Sequence, residues 1–100
     1  MKITIFTTET CPRCKLLAKK LREWGRTVEE KLMVEASTDE IADCRLDIGF
    51  WPMSAPLLQI EFGPLTTCWY ADVSLFPRGD MWLDEGKLKA ILSQGGDLIG

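Results

Sequence analysis

The chain has 100 residues, a formal net charge of -3, 46 % hydrophobic and 27 % charged residues, and no histidine. This length and composition are typical of a single soluble domain, residues 1–100, with a hydrophobic core of its own. The acidic balance argues against nucleic acid or an anionic membrane as the main partner. The absence of histidine excludes Cys/His metal sites and histidine-based acid–base catalysis.

The N-terminus carries only a four-residue apolar run before Thr7, which is too short for the core of a signal peptide. No apolar stretch approaches the roughly 20 residues that a membrane-spanning helix needs. We therefore expect a cytoplasmic protein that does not enter a membrane. In that reducing compartment, paired cysteines more often serve catalysis or metal binding than structure.

The first strand and the first helix are predicted on either side of a cysteine pair. Residues Lys2–Thr7 form a β-branched apolar run, typical of a strand. Pro12 suits a first helical turn, and Gly25 suits a helix end. The buried helix face follows the i, i+3, i+4, i+7 spacing and consists of Cys14, Leu17, Ala18, Leu21 and Trp24. Cys14 should therefore point inward, whereas Cys11 precedes the helix and can stay exposed.

The rest of the chain predicts three more strands and two more helices. Ser37 and Glu40 have the spacing of a capping box, and the helix that they start should end at Gly49. The predicted strands lie at 27–34, 57–60 and 65–71, the last two joined by a Gly-Pro turn. Residues 72–83 show no regular period. A last helix is expected over 84–93, with Asp84 as its cap and Gly95 and Gly96 as its stop.

The element order β-α-β-α-β-β-α predicts an α/β fold, with a mixed four-stranded sheet flanked by three helices. Cys11 and Cys14 then lie where the first strand passes into the first helix. A helix N-terminus favours a thiolate, so this pair is predicted to be a redox dithiol. The alternative for the pair is a structural zinc half-site, which would need further ligands. Cys44 and Cys68 are isolated and are expected to be small buried side chains, with an extra redox disulfide as the alternative.

Two motifs together resemble the thioredoxin superfamily. They are Cys11-Pro12-Arg13-Cys14 on a strand-to-helix turn and Ser54-Ala55-Pro56 before a strand. The short chain is most similar to glutaredoxins and glutaredoxin-like thioredoxins. The resemblance implies a thioredoxin-like, glutaredoxin-type fold in which Cys11 attacks a disulfide and Cys14 resolves the product. It also implies that Pro56 is cis and that Ala55 offers its backbone to an extended substrate. The implied substrate-binding residues are Thr10, Pro12, Arg13, Ser54, Ala55 and Pro56.

The chain departs from glutaredoxins where those proteins hold glutathione. Glutaredoxins commonly carry a lysine three residues before the first cysteine, and Thr8 occupies that position here. They also carry a Gly-Gly-x-Asp type segment before the last helix. The corresponding residues 76–80 of this chain are Phe-Pro-Arg-Gly-Asp, a longer and different segment.

The resemblance implies a monomeric protein-disulfide oxidoreductase that uses Cys11 and Cys14 and needs no metal or other cofactor. Its expected partners are a disulfide-containing protein substrate and a reductase. One alternative is a glutathione-dependent glutaredoxin, with glutathione as the reductant. Another is a glutaredoxin-like module that binds a metal ion or an iron–sulfur cluster.

Overall fold

Four strands and four α-helices follow one another in a computed structural model that describes residues 1–99, with side chains described to Ser93. The strands are β1 (Lys2–Thr7), β2 (Val28–Leu32), β3 (Leu57–Gly63) and β4 (Thr66–Tyr70). The helices are α1 (Pro12–Glu23), α2 (Thr38–Ile48), α3 (Asp72–Leu75) and α4 (Glu85–Ile99). A short 3-10 turn, Met33–Glu35, follows β2. None of the helices in residues 1–99 has the length and apolar character needed to cross a membrane.

The four strands form one mixed sheet in the order β2-β1-β3-β4. Strands β1 and β2 are parallel, with Ile3 opposite Val28, because α1 carries the chain back to the starting edge. Strand β3 runs antiparallel to β1, and β4 runs antiparallel to β3. The predicted α/β class and mixed four-stranded sheet are therefore confirmed.

Successive residues of the central strand β1 supply two separate cores, because side chains alternate across a strand. Ile3 and Ile5 pack with the buried face of α1 and with α4 on one side of the sheet. Phe6 packs on the other side with Cys44, Leu57 and Trp69, beneath α2. The rings of Phe6 and Trp69 stack with their centroids 5.4 Å apart. We call these two groups of side chains the α1 core and the α2 core.

The predicted capping signals are present in the structure. The Ser37 hydroxyl accepts the Glu40 N–H at 3.1 Å, and the Glu40 carboxylate accepts the Ser37 N–H at 3.0 Å. Helix α2 ends at Gly49, whose φ of 86° lies in the left-handed region that glycine tolerates. The Asp84 carboxylate accepts the Lys87 N–H at 3.1 Å at the start of α4.

Four predictions about the elements were wrong, and one of them is the end of β3, which extends beyond the predicted 57–60 to Gly63 because its pairing with β4 continues to the turn. The sheet has four α-helices beside it rather than three, because residues 72–75 form the one-turn helix α3 in a segment predicted to be irregular. The predicted strand 27–34 ends at Leu32 and passes into the 3-10 turn. Helix α4 continues through Gly95 and Gly96 to Ile99. A glycine costs a helix about 1 kcal/mol but keeps its N–H donor, so it weakens a helix without ending it.

Candidate active site

Cys11 and Cys14 are joined as a disulfide at the start of α1, with their Cα atoms 5.2 Å apart. Cys11 is the N-cap residue of the helix, and Pro12 follows in its first turn. The backbone N–H of Cys14 donates to the Cys11 sulfur at 3.2 Å. This hydrogen bond and the positive end of the helix dipole both favour negative charge on that sulfur.

The two sulfur-bearing residues differ in their exposure. Cys14 is 1 % exposed and belongs to the α1 core, as predicted from the helical spacing. Cys11 is 7 % exposed, whereas the sequence predicted an exposed side chain. The reason is that Cys11 packs into the same core beside its disulfide partner. Of the pair, Cys11 is therefore the one that a partner molecule can reach.

The segment before β3 meets the cysteine pair, although it lies about forty residues further along the chain. The Ala55–Pro56 peptide bond is cis, as the resemblance implied. Pro56 is fully buried, and Ala55 packs against the core that contains both cysteines. Ser54, the third residue of this predicted motif, is exposed.

A surface groove of about 340 Å³ runs between the cysteine pair and Ala55. Its lining residues are Thr8, Thr10, Cys11, Pro12, Arg13, Ala55, Asp80 and Met81. The predicted residues Thr10, Pro12, Arg13 and Ala55 thus lie together around Cys11, whereas Pro56 is buried behind the groove. Asp80 and Met81 were not predicted. The only sequence signal for them was the position of segment 76–80, which departs from the glutaredoxin pattern before the last helix.

Arg13 is half-buried and connects the start of α1 to the chain that follows β4. Its guanidinium forms an ion pair with Asp72 at 3.6 Å, and the two side chains are 28 % and 11 % exposed. The same group donates a hydrogen bond to the Gly79 carbonyl and lies over the Phe76 ring, 5.7 Å from its centroid. Arg13 therefore uses its charge and its donors within the protein.

Residues 76–82, which we call the groove loop, are held by a set of local contacts. The N–H of Gly79 donates to the Phe76 carbonyl at 3.1 Å, and Gly79 has a φ of 74° that suits glycine. The Trp82 N–H donates to the Asp80 carboxylate at 2.8 Å. The Arg78 guanidinium lies 4.2 Å from the centroid of the Trp82 ring. These contacts place Asp80 and Met81 on the groove as one of its walls.

The other two cysteines lie away from the groove. Cys44 is fully buried in the α2 core, as predicted, on the opposite side of the sheet from Cys14. Burial, with smaller contributions from Asp47 and Asp43, raises the pKa of Cys44 to about 11. Cys68 is only half-buried on β4, and burial raises its pKa as well. Both side chains are therefore neutral thiols at pH 7.

Comparison of the chain with models of protein families, with curated proteins and with solved structures finds no match. Among the residues that the structure describes, no group of three or more Cys, Asp or Glu side chains is arranged to hold a metal ion. The case for a function therefore depends on the residues of the groove.

Proposed function

We propose that this protein is a thiol–disulfide oxidoreductase of the thioredoxin-like, glutaredoxin type, and that it reduces protein disulfides through Cys11 and Cys14. The observation that carries the proposal is the Cys11 sulfur at the N-terminus of α1, accepting the Cys14 N–H and linked to Cys14. Ala55, which packs against the core of both cysteines and lines the same groove, supports it.

The proposed reaction begins with the reduced protein. The Cys11 thiolate attacks one sulfur of the substrate disulfide, and the other substrate sulfur leaves as a thiolate that takes a proton from water. Cys14, held next to Cys11, then loses its proton and attacks the Cys11 sulfur of the mixed disulfide. The second substrate thiolate leaves and is protonated in turn. Two electrons pass from the dithiol to the substrate, and the Cys11–Cys14 disulfide remains.

The geometry favours the second step because the two Cα atoms are only 5.2 Å apart. An intramolecular attack at this distance proceeds at a high effective concentration, so the mixed disulfide is short-lived. Ala55 lines the groove beside Cys11 and can pair its backbone with an extended substrate segment. A reductase or a small thiol is required to return the dithiol to its reduced form. The protein is expected to work as a cytoplasmic monomer.

The test is reduction of insulin disulfides with dithiothreitol as the electron source. Cys11→Ser should lose the activity, because Cys14, Cys44 and Cys68 do not line the groove. Cys14→Ser, reduced and then freed of dithiothreitol before insulin is added, should accumulate the mixed disulfide with the substrate, visible by mass spectrometry under non-reducing conditions. Cys68→Ser, a matched change outside the groove, should keep the activity. Full activity in Cys11→Ser would overturn the proposal.

A further inference from the structure

We infer that the groove loop acts as a charge filter, so that the preferred substrate is an extended protein segment with basic or apolar residues beside its disulfide. This inference rests on the proposed function, because it names the substrate class of the same groove. It predicts a selectivity that the dithiol alone would not have.

The positive charge of Arg13 is not offered to a substrate. Arg13 lines the groove, but its guanidinium is paired with Asp72 at 3.6 Å and also donates to the Gly79 carbonyl. An anionic group that enters the groove would compete with Asp72 for the Arg13 guanidinium, and the Asp72 side chain is itself largely buried. The pair therefore contributes almost no net charge to the groove.

The remaining charge in the lining of the groove is acidic, because Asp80 lines it and is exposed. Glu9 is exposed on the adjoining groove, which shares Thr8 and Thr10 with the cysteine groove. Neither carboxylate forms an ion pair within the part of the chain whose side chains are described. One carboxylate in the groove and a second on the adjoining groove attract cations and repel anions.

The nearest basic residues face other surfaces. Lys15 lines a separate groove along α1, together with Lys19 and Arg22. The Arg78 guanidinium lies against the Trp82 ring, outside the lining of the cysteine groove. Neither of these groups lines the cysteine groove.

Met81 provides apolar contact area at the groove, and Met53 is exposed on the segment that leads to Ala55. Met81 lines the groove and is 47 % exposed, and Met53, two residues before Ala55, is 82 % exposed. Methionine is flexible and adapts to partners of differing shape. The surface is thus apolar with acidic groups, which suits a Lys- or Arg-bearing segment with apolar neighbours. Glutathione carries two carboxylates and one ammonium group, and it meets Thr8 and Asp80 in place of a cation.

The test uses three synthetic peptides with one internal disulfide each, flanked by lysine, alanine or glutamate. The fully reduced protein is mixed with each oxidised peptide, and the second-order rate of oxidation is followed by acid quench and chromatography. Each rate is divided by the rate at which dithiothreitol reduces the same peptide, which removes the intrinsic reactivity of the disulfide. At low ionic strength we expect a lysine-to-glutamate preference of about three- to tenfold. Added salt should reduce it.

Charge-removing variants connect this preference to the named residues. Asp80→Asn keeps an oxygen that can accept the Trp82 N–H, so the turn is retained while the charge is lost. The double variant Asp80→Asn/Glu9→Gln should lower the preference to below about twofold. Asp39→Asn, an exposed carboxylate at the start of α2, should leave it unchanged.

The outcomes separate the two hypotheses. If no peptide oxidises the protein, the proposed function itself is wrong. If all three peptides react at the same normalised rate, the charge filter is wrong and the oxidoreductase assignment stands. A preference that survives in the Asp80→Asn/Glu9→Gln variant would also overturn the filter.

Discussion

Arg13 occupies the third position of the Cys-Pro-Arg-Cys motif, yet its contacts are internal. Its ion pair with Asp72 joins two segments almost sixty residues apart in the chain, and Asp72 is the less exposed partner. A largely buried carboxylate that loses its cation keeps the cost of desolvation without the compensating attraction. Arg13 is therefore a positioning residue for the groove loop as well as a neighbour of the dithiol.

We predict that Arg13→Gln lowers the free energy of unfolding by about 1–3 kcal/mol, because it leaves Asp72 without its cation. The double variant Arg13→Gln/Asp72→Asn should recover part of this loss. Urea unfolding of the single and double variants gives the coupling between the two residues. Arg22→Gln removes an exposed ion pair with Glu30 and should cost less than about 1 kcal/mol. Equal effects at the two arginines would contradict the internal role of Arg13.

Cys44 should make the stability depend on pH in the alkaline range. Its pKa is raised from 9.0 to about 11 by burial, so the unfolded chain releases the proton first as the pH rises. The stabilisation is fully present below pH 9 and is lost towards pH 11. Between pH 8 and pH 10.5 we expect the free energy of unfolding of the protein to fall by about 2 kcal/mol more than that of the Cys44→Ala variant. Urea unfolding in excess dithiothreitol measures this difference. If the protein and the Cys44→Ala variant lost the same free energy of unfolding as the pH rises, the pKa of Cys44 would not be raised by folding.

At the scale of elements, α2 covers the outer edge of the sheet through hydrogen bonds to Trp69 on β4. The Trp69 indole N–H donates to Asp43 at 2.7 Å, and the Trp69 backbone N–H donates to Asp47. Strand β4 is an edge strand, and an edge N–H left open is a site for pairing with another chain. Helix α2 therefore protects the sheet edge as well as covering the α2 core.

Removing one of these hydrogen bonds should loosen α2 from the sheet. Asp43→Ala leaves the indole donor of the buried Trp69 without its acceptor, and we expect a loss of about 1–2 kcal/mol in the free energy of unfolding. Leu46→Ala on the same helix changes a side chain that is 85 % exposed, so its effect should stay within about 0.5 kcal/mol. Thermal or urea unfolding compares the two variants. A larger effect at Leu46 would mean that α2 packs differently.

The sequence predicted elements whose signals are local. The β-branched run of β1, the Pro12 start of α1 and the Ser37 capping box each depend on neighbours within a few residues, and each is present. Helix α3 escaped prediction because a single turn is shorter than the period used to recognise a helix. Its position depends on the pairing of Asp72 with Arg13, which no local pattern encodes.

Some residues of the candidate site were likewise predicted from the sequence, and others were found only in the structure. The spacing of Cys11 and Cys14 is a local signal, and Ala55 was located through a resemblance to a family pattern. Asp80 and Met81 reach the groove only because the groove loop folds back onto Arg13. That contact is made between residues more than sixty positions apart, so its existence follows from the fold and not from the spacing of residues.

At the scale of the whole molecule, the two cores share one sheet. Strand β1 contributes Ile5 to the α1 core and the adjacent Phe6 to the α2 core. Strand β3 does the same with Leu58 and Leu57. Because the same backbone segments form both cores, neither core can lose its packing without disturbing the strands that the other requires. We therefore expect the two sides of the sheet to unfold together.

Cys44 reports this coupling, because it is fully buried in the α2 core and reacts with iodoacetamide only when that core opens. Leu57→Ala in the α2 core and Leu17→Ala in the α1 core remove the same atoms from fully buried sites, and each should cost about 2–5 kcal/mol. In the oxidised protein with Cys68→Ser, both variants should lower the protection of Cys44 in proportion to their loss of global stability. Leu65→Ala, at a side chain 98 % exposed, should leave the protection unchanged. If Leu17→Ala destabilised the protein but left Cys44 as protected as before, the α2 core would open independently, and the dithiol side of the sheet would be a separate folding unit.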